Sequence, residues 1–359
     1  MQPKLGLSSA FRTLIAFPRV PAYSYKPLSI APDAIRLVLV QPAPFFVSPI
    51  CCRMIETSWT HEEGGTTFDR GYVSLSYCWG DTIRDIPIEI DGRQFYITRN
   101  LELALRYLRL QRKELRLWAD SICVDQDNIK ERNWHVMHMR SIYSAARETT
   151  LFLGDSTKES DTLINAIKDS KIRFSPTTTK ANVIKSLTKS SGLSKSDLEV
   201  KVLDLLRRPY WRRIWVFQEI LVSPNPWIQC GNMKITWDAF CRALLSFIDS
   251  SANHSGSGSS NDPKRRLENI YWERVSYSYK YDRPHTRTIP LTLLALLVSK
   301  RGLEATDPRD MVFAVSGIAR RPEEQDPVRF TYEKSTSLVY MRYETLTLVF
   351  MRLISDLVL

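Results

Sequence analysis

The 359-residue sequence has no uncharged apolar stretch of about 18 residues, the length a membrane-spanning helix needs, so no span is expected. Its C-terminal run from Ser337 to Leu359 is apolar but broken by Arg342, Glu344, Arg352 and Asp356. None of the six cysteines (51, 52, 78, 123, 230 and 241) stands in CxxC spacing, which argues against a zinc or redox site. His135 and His138 share one helix side without a third ligand nearby in sequence, so no metal is expected. Internal repeats, a long basic arm and recognised DNA-reading motifs are missing too. The formal charge of +11 comes from short basic groups interleaved with acids. It reads as a solvated basic surface, and nucleic-acid binding is the lesser alternative. No Ser-His-Asp or Cys-His arrangement can be assembled, and Cys123 has no identifiable activating partner.

Hydrophobic residues at 43% and nine tryptophans are enough for a substantial core, which excludes a disordered chain. The first 32 residues carry Lys4, Arg12, Arg19 and Lys26 and no acid, a faint transit-peptide pattern. Prolines at 3, 18, 21, 27 and 32 interrupt any amphipathic helix there, so the segment reads as a short extension. A cytoplasmic location is expected.

Strand patterns occur at 35–40 (IRLVLV), 72–79 (YVSLSYCW), 115–119 (LRLWA) and 149–154 (TTLFLG). Hairpins are predicted at 86–97, turning at Asp91-Gly92, and in WIQCGNMKITW, turning at Gly231-Asn232. Helices fall after Thr98 or Asn100 as N-cap, and from about Asn128 to Arg147 with a stripe of Val136, Met139, Tyr143 and Ala146. Another contains Trp211, Trp215 and Glu219. A last one has Asp307 as N-cap, Pro308 at its first position and Gly317 as terminator. The β-α-β-α-β alternation predicts an α/β fold: a mostly parallel sheet flanked by helices, with a β-hairpin insertion and a helical C-terminal part. The chain divides into an extension (1–22), an α/β core (23–250), a low-complexity loop (251–264) and a helical region (265–359) packed on the core. Within the core, 173–197 is rich in Ser, Thr and Lys and reads as a flexible insertion or weak helical link.

Four segments in order resemble the heterokaryon-incompatibility (HET) domain of filamentous fungi. They are YVSLSYCWGD (72–81), LWADSICVDQDNIKERNWHVMHMRSIYSAARETTLFLGD (117–155), RPYWRRIWVFQEI (208–220) and ATDPRDMVFAVSGIA (305–319). The opening YSYKPL (23–28) and the cysteine-bearing strand near 51 also fit. One departure is Asp125, where the family usually has Asn. The resemblance implies an effector of regulated cell death in nonself recognition. Its implied partner is a second copy of itself or another incompatibility protein.

The HET domain in turn resembles, more remotely, the flavodoxin-like Toll/interleukin-receptor (TIR) domain. YVSLSYCWGD is similar to the first TIR box. WVFQEI is similar to a later box whose Glu is catalytic in members that hydrolyse NAD. That likeness implies Glu219 as the catalytic carboxylate, facing an open cleft beside the turn at Gly80. The implied substrate-binding set is Trp79, Gly80, Asp81, Asp120, Arg212 and Trp215, with Arg212 or Arg213 meeting the phosphates. NAD+ would be the substrate, with no further cofactor. The nicotinamide leaving group is already cationic and departs neutral, so one carboxylate can suffice by stabilising an oxocarbenium-like transition state.

Structural readings stand beside these. Glu219 could pair with Arg212 or Arg213, or serve helix packing. Asp127 or Asn128 can cap the helix that follows, and Glu131 suits its first turn. Asp120 follows an apolar strand, where an open α/β sheet lines its ligand crevice. Trp118, Trp134, Trp211 and Trp237 read as core anchors. A non-enzymatic module that signals by self-association is the alternative function.

Overall fold

β1 (Ala34–Val40, AIRLVLV) is buried along its whole length, its one charged residue, Arg36, included. The computed structural model describes residues 21–29, 31, 33–59, 71–80, 83–170, 178–248, 262–282, 296–297, 299–300, 302–319 and 331–341. Expectations for residues 1–20, Asp81, 173–177, 251–261 and 342–359 lie outside these.

The other strands are β2 (Cys51–Ser58), β3 (Val73–Tyr77), β4 (Ile86–Ile90), β5 (Arg93–Ile97), β6 (Leu115–Trp118), β7 (Glu148–Phe152), β8 (Pro226–Cys230) and β9 (Met233–Thr236). They form one sheet in the order β5-β4-β2-β1-β6-β3-β7-β8-β9. The four-strand centre β6-β3-β7-β8 is parallel. In chain order these run second, first, third, fourth, as a flavodoxin-like sheet begins. The flanks depart from a mostly parallel sheet. β1 is antiparallel to both neighbours, and the edge pairs β4-β5 and β8-β9 are antiparallel hairpins. For β1–β2 and the two hairpins the cause is connection length, while β2 and β4 pair parallel. The loop at 41–50 and the hairpin turns are too short for the crossover that parallel pairing requires.

Both predicted hairpins form, the first turning at Asp91 (φ 52°) and Gly92 (φ 72°). Helices cover both faces of the centre. α1 (Arg99–Leu108) is capped by Thr98, which settles that choice. The short α2 (Asp120–Cys123) leads to α3 (Ile129–Ala145), capped by Asn128. Of its predicted stripe, Met139, Tyr143 and Ala146 are buried, and Val136 is half-buried against them. Glu131 does more than suit a first turn: it pairs with buried Arg36 of β1 and accepts from the Asp125 N–H at 2.8 Å.

α4 (Lys158–Asp169) is followed by α5 (Lys180–Ser191), α6 (Lys195–Leu206), α7 (Ile214–Val222), α8 (Trp237–Leu245), α9 (Pro263–Asp282) and α10 (Asp310–Ala319). The Ser/Thr/Lys-rich segment is thus helical where described. α5 is capped by Thr179 and packs through Val183 and Leu187, the helical side of the earlier alternative.

Two helix expectations are corrected. Trp211 does not share a helix with Trp215 and Glu219. Pro209–Arg212 form a tight 3-10 turn, Arg213 is extended, and only then does α7 begin. The break lets this stretch pair with a distant one. The Glu304 N–H reaches the Arg212 carbonyl at 2.6 Å, and the Ile214 N–H reaches the Glu304 carbonyl at 3.0 Å. Nor does Gly317 terminate its helix. It sits inside α10, where a Cβ would collide with the Gln218 side-chain amide of α7. The missing side chain permits close helix packing.

α7 (IWVFQEILV) is buried at all nine positions, between β3 and β7 on one side and α3, α9 and α10 on others. Its Gln218 and Glu219 are therefore polar groups inside the core. β3 is covered on both faces too, so Ser74 and Ser76, read as lying off the apolar face, are also buried. Ser74 shares a hydrogen bond with Thr149 of β7 at 2.8 Å.

Candidate functional site

β3 and β6 run parallel (Ser74 opposite Trp118), and β3 extends three residues past that last pair, so both carboxyl ends open on the same side of the sheet. There β3 runs into Cys78, Trp79 and Gly80, and β6 into Asp120. Gly80 has φ +70°, a conformation other residues rarely adopt, and turns the chain off the sheet. A cleft of about 690 Å³ opens at this point. Its floor is Trp79, Gly80 and Asp120. One wall is the face of α3 bearing Arg132 and His135, the other is Arg213 and Trp215 with the segment from Glu304 to Asp310. The size and the place suit a ligand site in an open α/β sheet.

Asp120 is fixed from two sides. Its carboxylate accepts from the Trp79 Nε1–H at 3.0 Å and from the Ser121 N–H at 2.8 Å. Burial raises its pKa, and the nearby Arg213 guanidinium opposes the rise. Arg213 donates to the Tyr77 carbonyl at the end of β3. The attraction of Glu219 and then of Asp120 outweighs burial and keeps it firmly charged.

Glu219 does not face this cleft. It is 1% exposed and accepts from the Ser76 hydroxyl, which also shares a hydrogen bond with Tyr210 at 2.7 Å. Burial pushes its pKa up to about 7, against the pull of Arg213 and the Ser76 hydrogen bond. The expectation of an open carboxylate at this position is overturned because α7 is buried all round and turns Glu219 in towards β3. Glu219 therefore acts on the cleft electrostatically, through the charges of Arg213 and Asp120.

The rest of the predicted set divides. Trp79, Gly80, Asp120 and Trp215 come together in the cleft; Asp81 lies outside the described residues. Trp215 is 9% exposed, so it closes the wall with an edge. Arg212 points to the surface, 3.6 Å from Glu304, and its neighbour Arg213 lines the cleft instead. The extended residue before α7 reverses the two side chains.

The predicted set omitted the other end of the cleft. Arg132 lies 4.1 Å from the centre of the Tyr332 ring, and the Tyr332 hydroxyl donates to Asp310 at 2.5 Å. Arg309 is tied to Asp307 and to the carbonyls of Tyr332 and Lys334, both at 2.7 Å. The charges of ATDPRD were a usable signal, though they read as a helix start. His135 also lines the cleft, 2% exposed, with Nδ1 on the Glu131 carbonyl at 3.0 Å and no partner at Nε2. Burial drops its pKa to about 4, so it is neutral at physiological pH.

Residues 72–219, which contain the floor of the cleft and Arg132, His135, Arg213 and Trp215, match the family described as Heterokaryon incompatibility protein (HET). They are similar to a HET domain. The chain is also 24% identical over 377 aligned residues to Heterokaryon incompatibility protein 6, OR allele, of Neurospora crassa, covering 90% of this chain and 53% of the relative. It thus spans about half the length of the curated relative it matches. No solved structure matches the chain. The wall from Glu304 to Asp310 and Tyr332 lie beyond the matched HET residues, so the cleft is completed by the C-terminal helical part. Among the described residues no helix is long and apolar enough to cross a membrane.

Proposed function

We propose that this chain is a HET-domain protein, a cytoplasmic effector of regulated cell death in fungal nonself recognition, and that it acts by hydrolysing NAD+ in the cleft at the strand ends. The observation that carries the reading is Asp120: a carboxylate held by Trp79 and Ser121, facing a cavity of nucleotide-accepting size at the carboxyl ends of parallel strands. In the reaction the bond between ribose C1′ and the nicotinamide nitrogen breaks, and its electron pair neutralises the pyridinium. Water adds to C1′ and releases a proton. Asp120 stabilises the developing oxocarbenium. Trp79 offers a ring for stacking, and Arg213 and Arg132 offer guanidinium groups for the diphosphate. Glu219, the residue the TIR likeness favours, acts as a positioning residue through Arg213. NAD+ is the substrate and no other cofactor is invoked. The partner is a second copy or another incompatibility protein, with no nucleic acid. The test is nicotinamide release by purified protein clustered on a scaffold. Release supports the reading, and none under clustering removes it.

One observation favours the non-enzymatic alternative, signalling by self-association. α9 exposes Trp272 (57%) and Val275 (43%) three residues apart, on one side of the helix. Under that reading Trp272→Ala abolishes toxicity in cells, while the wild type kills without depleting NAD+.

A further inference from the structure

At the opposite end of the sheet from the cleft, the loop between β1 and β2 (QPAPFFVSPI, 41–50) carries no charged residue. β1 ends where β6 begins (Val40 opposite Leu115), whereas the cleft lies where β6 ends. Phe45 is 70% exposed and Val47 81%, values seldom given to such side chains without purpose. The loop holding them is fixed. Arg109, itself buried, donates to four of its carbonyls: Phe45 at 2.8 Å, Phe46 at 3.0 Å, Ser48 at 3.0 Å and Pro49 at 2.8 Å. Arg106 adds bonds to Phe46 and Ser48 at 2.6 and 2.9 Å, and Phe46 packs on Tyr107. A buried guanidinium spent on one loop's carbonyls holds the backbone of Phe45 and Val47 in place, which lowers the ordering cost of binding.

The turn after α1 lies against this loop, joined by the Ala43 N–H to the Leu110 carbonyl at 3.3 Å. It adds exposed Leu110, Arg112 and Lys113. Of the acids around it, Glu114 is paired with Arg53 at 3.0 Å, Asp155 accepts from the Tyr107 hydroxyl at 2.5 Å, and exposed Glu89 stands beside Ile50. Arg106 is offset by Glu102, and Arg109 spends its guanidinium on the loop carbonyls. The surface is thus an apolar tip flanked by two exposed cations, Arg112 and Lys113. That combination fits the interface of an anionic membrane, where aromatic and aliphatic tips enter the headgroup boundary and cations meet the lipid phosphates.

We infer that the β1–β2 loop, with Leu110, Arg112 and Lys113, is a peripheral docking surface for an anionic lipid membrane. It would leave the cleft facing away from the bilayer. The inference is independent of the chemistry of the cleft. The experiment is flotation of the full chain with vesicles of phosphatidylcholine alone and of phosphatidylcholine with phosphatidylserine, at low and at physiological salt. Binding is expected only to the anionic vesicles and should weaken with salt. Arg112→Gln and Lys113→Gln should each weaken it about fivefold. Phe45→Ser with Val47→Ser should weaken it about tenfold or more without changing the unfolding temperature, because both side chains are in solvent. Failure of the wild type to bind anionic vesicles at low salt overturns the inference, as does undiminished binding by the folded Phe45/Val47 variant. The latter would reassign the loop to a protein partner.

Discussion

Asp120 and Glu219 belong to one charge cluster around Arg213, yet they live in different worlds. Asp120 sits on the cleft floor, bonded to an indole and a backbone N–H. Glu219 sits behind it among Ser76, Tyr210 and Tyr143, closed off by the apolar body of α7. Both have raised pKa values from the same cause, burial. The difference teaches that a perturbed carboxyl marks a site only when solvent or a ligand can reach it. Of the pair, Glu219 has the motif and Asp120 has the access.

The strongest way to break this comparison is to remove the shared cation. Arg213→Met leaves two carboxyls without their counter-charge and should cost about 3–5 kcal/mol at neutral pH. Denaturant unfolding measures it, and a loss under about 1 kcal/mol would mean that the cluster is not coupled as described. Next is pH. Glu219 has a folded pKa near 7 against an ordinary 4.5, so the native state holds its proton more tightly than the unfolded chain. Its contribution is fully present below about pH 4.5 and is lost as pH rises through 7, a change of up to about 3 kcal/mol. Glu219→Gln should flatten that slope. If both proteins show the same pH profile of unfolding, Glu219 is not the buried acid described. The smallest effect concerns the wall behind the cluster. Gly317→Ala pushes a methyl into Gln218 on α7 and should destabilise by about 1–3 kcal/mol, read as a lowered Tm.

The parts of the fold legible in the sequence are those fixed by near neighbours. Asp91-Gly92 supplies two left-handed residues for a hairpin, Asn128 supplies a cap, and Met139, Tyr143 and Ala146 mark a stripe. What failed to show depended on distant partners. The extended Arg213 exists because Glu304 pairs beside it, and Gly317 is inside a helix because Gln218 packs there. Neither is visible at a range of a few residues. The same holds for the site. Asp120 was drawn to the cleft by its place after an apolar strand, Trp79 and Gly80 by the likeness of YVSLSYCWGD to a TIR box, and all three line the cleft. Glu219 was placed wrongly because spacing from Trp215 says nothing about which helix face meets solvent. All nine positions of α7 being buried is a property of α9 and α10 as much as of its own sequence. Tyr332 gave no signal of its own.

The central claim is that the accessible carboxylate does the chemistry and the hidden one supports it. The most direct measurement is the rate of nicotinamide release from NAD+ by clustered wild type, Asp120→Asn and Glu219→Gln. Asp120→Asn should fall by roughly 10²–10³-fold with its Tm nearly unchanged. Glu219→Gln should lose less and show it in the pH profile. An Asp120→Asn protein that turns over NAD+ at the wild-type rate would contradict the account.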